Sequence, residues 1–208
     1  MNNKTRSFHY QSLEIHLHKQ VYEPAEDTFL LLETLQIKKD QKIFEIGSGT
    51  GIIALSCAQQ GAHVICSDIN PYAIELIKKN ILVNNHILKG TIDVRSGDMY
   101  DPLLKGEQFD IIIFNPPYLP TTNDQLIGGE GWYDKALDGG TTGLKLTKRF
   151  VKGLKFHLVK DGVAYFIFSS LSDKTILTET LSKASLQATA INTLRCDDEL
   201  LEVMKVSN

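Results

Sequence analysis

The residues of this chain best suited to chemistry are Asn115-Pro116-Pro117-Tyr118, which follow directly on the apolar run Phe109-Asp110-Ile111-Ile112-Ile113-Phe114. The run has β-branched residues and no clean alternation, which predicts a buried parallel strand. The prolines then stop the ladder, because neither donates an N–H and each forces its predecessor into an extended conformation. The Asn115 side chain and the Pro116 carbonyl are thereby held at the carboxyl end of a strand, the edge where open α/β sheets bind ligands. Two fixed acceptors suit a planar –NH2 group, whose delocalised lone pair makes it a poor nucleophile. Accepting both hydrogens leaves that lone pair free to face an electrophile. An ordinary proline-closed loop has the same tetrapeptide, so its companions decide the reading.

The first companion lies upstream. Lys42-Ile43-Phe44-Glu45-Ile46 reads as a short buried strand, Gly47-Ser48-Gly49-Thr50-Gly51 as a turn, and Ile52 to Ala58 as a helix start. Glycines let the backbone approach a ligand, and a helix N-terminus offers free N–H groups to an anion. The spacing departs from the dinucleotide fingerprint, since Ile52 stands where Gly or Ala is wanted. No Lys-Ser/Thr pair follows, which excludes a Walker loop. Glu45, two residues before the first glycine, suits a cationic group. A ligand with a carboxylate and an ammonium fits, as in the methionine part of S-adenosylmethionine.

Two further acidic residues follow strands in the same way. His63 to Asp68 is a second strand, and Asp68 falls about twenty residues beyond the glycines, where a ribose-binding carboxylate is expected. Pro71 opens a helix through Asn84. A third strand, Ile92 to Arg95, leads into Gly97-Asp98-Met99, where Asp98 could accept from an adenine amine with Met99 beside the ring. Singly, each Asp reads as a cap or a solvated turn; four such sites in register argue for one ligand.

Together Glu45-x-Gly47-x-Gly49-x-Gly51, Asp68, Asp98 and Asn115-Pro116-Pro117-Tyr118 resemble class I S-adenosylmethionine-dependent methyltransferases of the amino type. More narrowly, Tyr22-Glu23-Pro24-Ala25-Glu26-Asp27-Thr28-Phe29-Leu30-Leu31-Leu32-Glu33 is similar to the N-terminal motif of HemK-type protein-glutamine methyltransferases, in the archaeal and eukaryotic branch that modifies class 1 release factors. Ala136-Leu137-Asp138-Gly139-Gly140-x-x-Gly143-Leu144 extends the likeness past the catalytic loop. The resemblance implies that Thr28, Glu45, Gly47, Gly49, Gly51, Asp68, Asp98, Met99 and Asn115 bind the cofactor, and that Asn115, Pro116 and Tyr118 serve catalysis. Tyr118 is expected against the cofactor or the substrate stem. The helix start Glu26-Asp27-Thr28 would lie over the cofactor, although a charged first turn alone would explain it. Bacterial relatives carry a helical domain ahead of the catalytic one, and the roughly forty residues here are too few for it.

Composition agrees. At 208 residues the chain suits one domain, 1–208, with residues 1–40 as a cover and 41–208 as the catalytic core. Hydrophobic content of 42% and charged content of 23% are ordinary for a soluble protein. Neither a leader nor a membrane-spanning run is read, which points to the cytoplasm. Cys57, Cys66 and Cys196 are unclustered in apolar segments and read as buried thiols. The six histidines form no ligand cluster, so no metal is expected; His16 and His18 are assigned to one face of a strand.

The remaining elements are a strand or hairpin over Leu13–His18, helices over 25–35, 142–158 and 173–184, and strands over 162–169, 188–194 and 200–206 with a turn at Asp197-Asp198. The expected fold is a doubly wound, Rossmann-like α/β sheet, mostly parallel, with a C-terminal antiparallel hairpin. The seven-stranded order comes from the resemblance.

The leading function is methyl transfer to a glutamine side-chain amide, with the Gly-Gly-Gln loop of a class 1 release factor implied as substrate. Methylation of the exocyclic amine of adenine in DNA or RNA would use the same tetrapeptide. A net charge of −3 and a pI near 6.1 weigh against it, as does the short chain, since base flipping needs surrounding surface. A noncatalytic cofactor-binding scaffold is the third reading. Lys145, Lys148, Arg149, Lys152 and Lys155 fall on one helix face, opposite Leu144, Val151, Leu154 and Leu158; a solvated face is the plainer account. Finally, the resemblance implies a small zinc-binding activator subunit along the third strand, 92–95, which would be a sheet edge flanked by Ile87, Leu88, Met99, Leu103 and Leu104.

Overall fold

The computed structural model describes residues 6–121 and 131–207. Residues 1–5, part of the stretch in which no leader is read, lie outside them. A hairpin of β1 (Ser7–Tyr10) and β2 (Leu13–His16) precedes α1 (Glu26–Thr34). Then come β3 (Lys42–Ile46), α2 (Ile52–Gln59), β4 (His63–Asp68), α3 (Pro71–Asn84), β5 (Thr91–Ser96) and β6 (Phe109–Phe114). After a short α4 (Trp132–Lys135) follow α5 (Lys145–His157), β7 (Leu158–Ser169), α6 (Lys174–Lys183), β8 (Gln187–Cys196) and β9 (Glu199–Ser207).

The sheet has seven strands in the order β5-β4-β3-β6-β7-β9-β8. β5, β4, β3, β6 and β7 run parallel, and β9 lies antiparallel to both β7 and β8. Strand order reverses between β3 and β6, which leaves a crevice at their carboxyl ends.

Apolar runs without alternation are explained by burial on both faces. Ile43, Ile111 and Ile113 pack with Leu31, Ile53 and Leu55 of α1 and α2, while Phe44, Ile112 and Phe114 pack with Phe150, Val151 and Leu154 of α5. Fully burying side chains of this size contributes about 1.5–3 kcal/mol each.

Several boundaries differ from expectation. α5 starts at Lys145 rather than 142 because Gly143 has φ +70°, a left-handed conformation that a helix cannot accommodate. A side chain there would also meet the Tyr118 carbonyl at 2.5 Å. β7 begins at Leu158, ahead of a register shift opposite Phe109/Ile111. β2 ends at His16; His18 lies outside it and stacks on Tyr72, with ring centroids 5.0 Å apart. Cys57 and Cys66 are buried free thiols, whereas Cys196, at the end of the outer strand β8, is only partly covered.

The cover is fixed to the core by two asparagines of α3. Asn84 accepts from the Glu14 amide at 2.9 Å and donates to the Glu14 carbonyl at 2.8 Å. Asn80 does the same for His16, at 2.9 and 3.2 Å, and also donates to the Thr50 carbonyl at 2.9 Å. Four residues apart on one helix face, they stand in for a neighbouring strand along β2.

Candidate functional site

A cavity of about 570 Å³ opens across the carboxyl ends of β3, β4, β5 and β6. Thr28, Glu45, Gly47, Gly49, Asp68, Asp98, Met99, Asn115, Pro116 and Tyr118 all line it. Gly51 sits just behind as the N-cap of α2, with φ +80° and Ile77 close enough that a side chain would crowd it at 3.1 Å.

Glu45, next to last in β3, is a buried carboxyl, 3% exposed, and its Oε2 has no hydrogen-bond partner among the described residues. Burial pushes its pKa up to about 8, against partial offsets from the Ser48 hydroxyl and the Ala54 amide. An unpaired buried carboxyl is costly unless a ligand supplies what it lacks.

Asp68 ends β4 and is used twice by the backbone. Its Oδ2 accepts from the Gly49 amide at 2.9 Å and its Oδ1 from the Asn70 amide at 2.8 Å. Burial raises its pKa while these amides act against the rise. The carboxylate thus holds the glycine turn, and each oxygen keeps a lone pair for a further donor. Asn70 caps α3 through Tyr72 and donates to the Gln20 carbonyl at 2.7 Å, which draws the cover over the crevice.

Asp98 is placed at the same cavity, but its carboxylate is already engaged. Arg149 of α5 holds it at 3.1 Å (Nη1–Oδ1) and 2.9 Å (Nη2–Oδ2). This corrects the reading of the basic helix face as wholly solvated, because Lys145, Leu146 and Arg149 turn toward the cavity. Lys152 and Lys155 remain on the open side. Met99 is buried with φ +52°, a conformation that is costly for a side chain of its size and is held by packing on the α5 face of the sheet.

The hub of the other end is Asp27, which the sequence placed only as part of a helix start. It is 3% exposed. Its Oδ2 accepts from Asn115 Nδ2 at 3.0 Å and from the hydroxyls of Tyr22 and Tyr118 at 3.2 Å. Its Oδ1 accepts from the Thr28 amide at 2.5 Å and the Thr28 hydroxyl at 3.0 Å. Among the described residues Asn115 Oδ1 is left buried without a partner. Tyr118, expected against cofactor or substrate, lines the cavity, and its hydroxyl donates to Asp27. Burial and that carboxylate push its pKa well up.

Behind the tetrapeptide, Ser172 donates to the Tyr118 carbonyl at 2.9 Å, and Leu119 pairs with Asp138 in an isolated bridge. Asp138 accepts from the Thr121 hydroxyl and the Gly140 amide, which folds the 138–143 turn against the strand end. Trp132, Lys135 and Leu137 close that side of the cavity. α4, a single turn, is too short to leave a periodic pattern and was not expected. Among the described residues no group of three or more His, Cys, Asp or Glu is placed to hold a metal, and no helix is long and apolar enough to cross a membrane.

Comparison with known proteins adds four likenesses. Residues 20–127 match the family described as methyltransferase small domain. The protein MJ0928 of Methanocaldococcus jannaschii, provisionally designated a protein N5-glutamine methyltransferase, is 40% identical over 83% of this chain and 83% of its own length. The eRF1 methyltransferase catalytic subunit mtq2 of Schizosaccharomyces pombe is 30% identical over 90% of this chain and 89% of its own. Among solved structures, the E. cuniculi Mtq2-Trm112 complex, described as responsible for methylation of eRF1, superposes with a TM-score of 0.66. It is 21% identical and covers 91% of this chain and 99% of that one, which speaks to the fold.

Proposed function

The chain belongs to the methyltransferase small-domain family, and from that premise we propose that it transfers a methyl group from S-adenosylmethionine to the side-chain amide of a protein glutamine. The substrate proposed is the Gly-Gly-Gln loop of a class 1 translation release factor, the kind of target that the name of the S. pombe relative states for that protein. The observation that carries the reading is the Asn115 amide. Its Oδ1 is a buried acceptor with no partner among the described residues, on a residue lining the same cavity as Glu45 and Asp68.

The residues present fit the cofactor. Glu45, with its unpaired oxygen, would meet the ammonium, and the spare lone pairs of Asp68 would meet the ribose hydroxyls. Met99 would pack on the adenine, and Asp98, fixed by Arg149, would accept from its amine. Thr28, Gly47 and Gly49 complete the cradle. When bound, S-adenosylmethionine supplies an electrophilic methyl on a sulfonium. The chain's own work is orientation: Asn115 Oδ1 and the Pro116 carbonyl accept the two hydrogens of the glutamine amide and direct its nitrogen inward. Residues 1–208 act as one catalytic domain in this reading, and the cytoplasm is its setting.

A small zinc-binding activator subunit is proposed along β5. Among the described residues that strand pairs only with β4, which leaves its outer backbone edge open to them. The flanking residues are less free than expected, since Ile87, Leu88, Met99 and Leu103 pack inward and only Leu104, 66% exposed, faces out. Arg95, bound to both oxygens of Glu107 at 2.7 and 3.0 Å, lends the edge charge instead.

Incubation with labelled S-adenosylmethionine tests the reading, with a release factor, its loop Gln→Ala variant and adenine-containing DNA in parallel, with and without the subunit. Label on the intact release factor alone is expected. Asn115→Ala should lower the rate about a hundredfold or more with little change in cofactor affinity. Label on DNA but not on the release factor would overturn the assignment.

A further inference from the structure

An asparagine amide is nearly symmetrical in shape, and a half-turn exchanges its acceptor for its donor at one place. Which atom meets a substrate is therefore set by the neighbours. Among the described residues, the hydrogen-bond partners of the Asn115 amide are all on one side. Nδ2 lies 3.0 Å from Asp27 Oδ2, and a carboxylate only accepts. Thr28 Oγ1 stands 3.4 Å from the same nitrogen, and its single hydrogen is already given to Asp27 Oδ1, so it too meets Nδ2 as an acceptor. Turned over, the amide would set Oδ1 against two acceptors and leave Nδ2 as the free atom.

We infer that Asp27 is a positioning residue that fixes the flip of the Asn115 amide and so makes the site select a donor, an –NH2 group, over an isosteric carboxylate. Asp27 acts through Asn115. Its own orientation is set by the hydroxyls of Tyr22 and Tyr118 and by the Thr28 amide, which hold a carboxylate that is 3% exposed. The Tyr22–Asp27–Thr28 part of the N-terminal motif thus contributes to substrate choice. The identity of the substrate rests on the function proposed above; the amide geometry does not.

Asp27→Asn is the test, because an isosteric amide can itself turn to satisfy either flip of Asn115. In protein labelled with 15N on asparagine, the Asn115 side-chain signal is identified by its loss in Asn115→Ala. Asp27→Asn should speed solvent exchange of that amide about tenfold or more and change its shift. On the release factor, kcat should fall about tenfold to a hundredfold, more than cofactor affinity falls. Preference for the Gln loop over its Gln→Glu variant in binding should narrow by a similar factor. An unchanged Asn115 signal, or a fall in kcat with discrimination intact, would overturn the inference. If Asp27→Asn does not fold, Tyr22→Phe carries the same readouts at smaller amplitude, and no change in any of them refutes it. Should the wild-type protein leave the release factor unmodified, the substrate assignment fails while the amide signal still tests Asp27.

Discussion

Replacing Glu45 by glutamine should remove a proton-linked signature from both folding and cofactor binding. The carboxyl is buried, and desolvation raises its pKa from 4.5 to about 8. Between those values the folded chain binds a proton that the unfolded chain has lost, so stability falls as pH rises. The contribution is fully present below pH 4.5 and gone above about pH 8. At 1.36 kcal/mol per unit, the shift corresponds to roughly 5 kcal/mol as an upper bound. Asp68 is raised too and works in the same direction, but it is present in both proteins and drops out of their difference. A cation seated at Glu45 Oε2 favours the charged form. With a pKa of about 8, some nine-tenths of the carboxyls are protonated at pH 7, so binding S-adenosylmethionine should release up to about 0.9 proton. Calorimetry in buffers of different ionisation enthalpy reads that number directly. The release should vanish toward pH 9 and be absent in Glu45→Gln, whose thermal midpoint should also fall less steeply from pH 5 to 8. Equal proton release and equal pH slopes in the two proteins would refute the assignment of Glu45 to the ammonium.

Asp68→Ala should weaken cofactor binding about tenfold or more, since charge-assisted hydrogen bonds are lost and the Gly49 amide is freed; calorimetry showing unchanged affinity in a folded variant would make Asp68 purely structural. Gly153→Ala should destabilise by about 1–3 kcal/mol in urea unfolding despite its better helix propensity. The added methyl would lie 2.1 Å from the Tyr100 ring, which is anchored through its hydroxyl to the Phe150 carbonyl at 2.7 Å. Asn80→Ala should cost about 2–4 kcal/mol and expose the hairpin to proteolysis, because the His16 amide and the His16 and Thr50 carbonyls lose their partner; a loss under about 1 kcal/mol would show that water replaces it.

Four strand ends carrying Glu45, Asp68, Asp98 and Asn115 were legible from sequence because each rests on a local rule. An apolar run must be buried, a glycine or proline must break it, and the next polar residue then lies at the carboxyl edge. The structure brings all four to one cavity. What the sequence could not supply were pairings across long separations. Asp27 and Asn115 are 88 residues apart, and nothing local to Glu26-Asp27-Thr28 distinguishes a hub from a charged first turn. Arg149 belongs by periodicity to a solvated stripe, yet one turn of α5 at the cavity mouth delivers it to Asp98. Asn80 and Asn84 look like polar interruptions of a helix until β2 is laid beside them. Local pattern determined which elements form and where each strand stops. Only tertiary packing decided which buried carboxylate meets which amide, because that choice depends on where separate elements come to rest together.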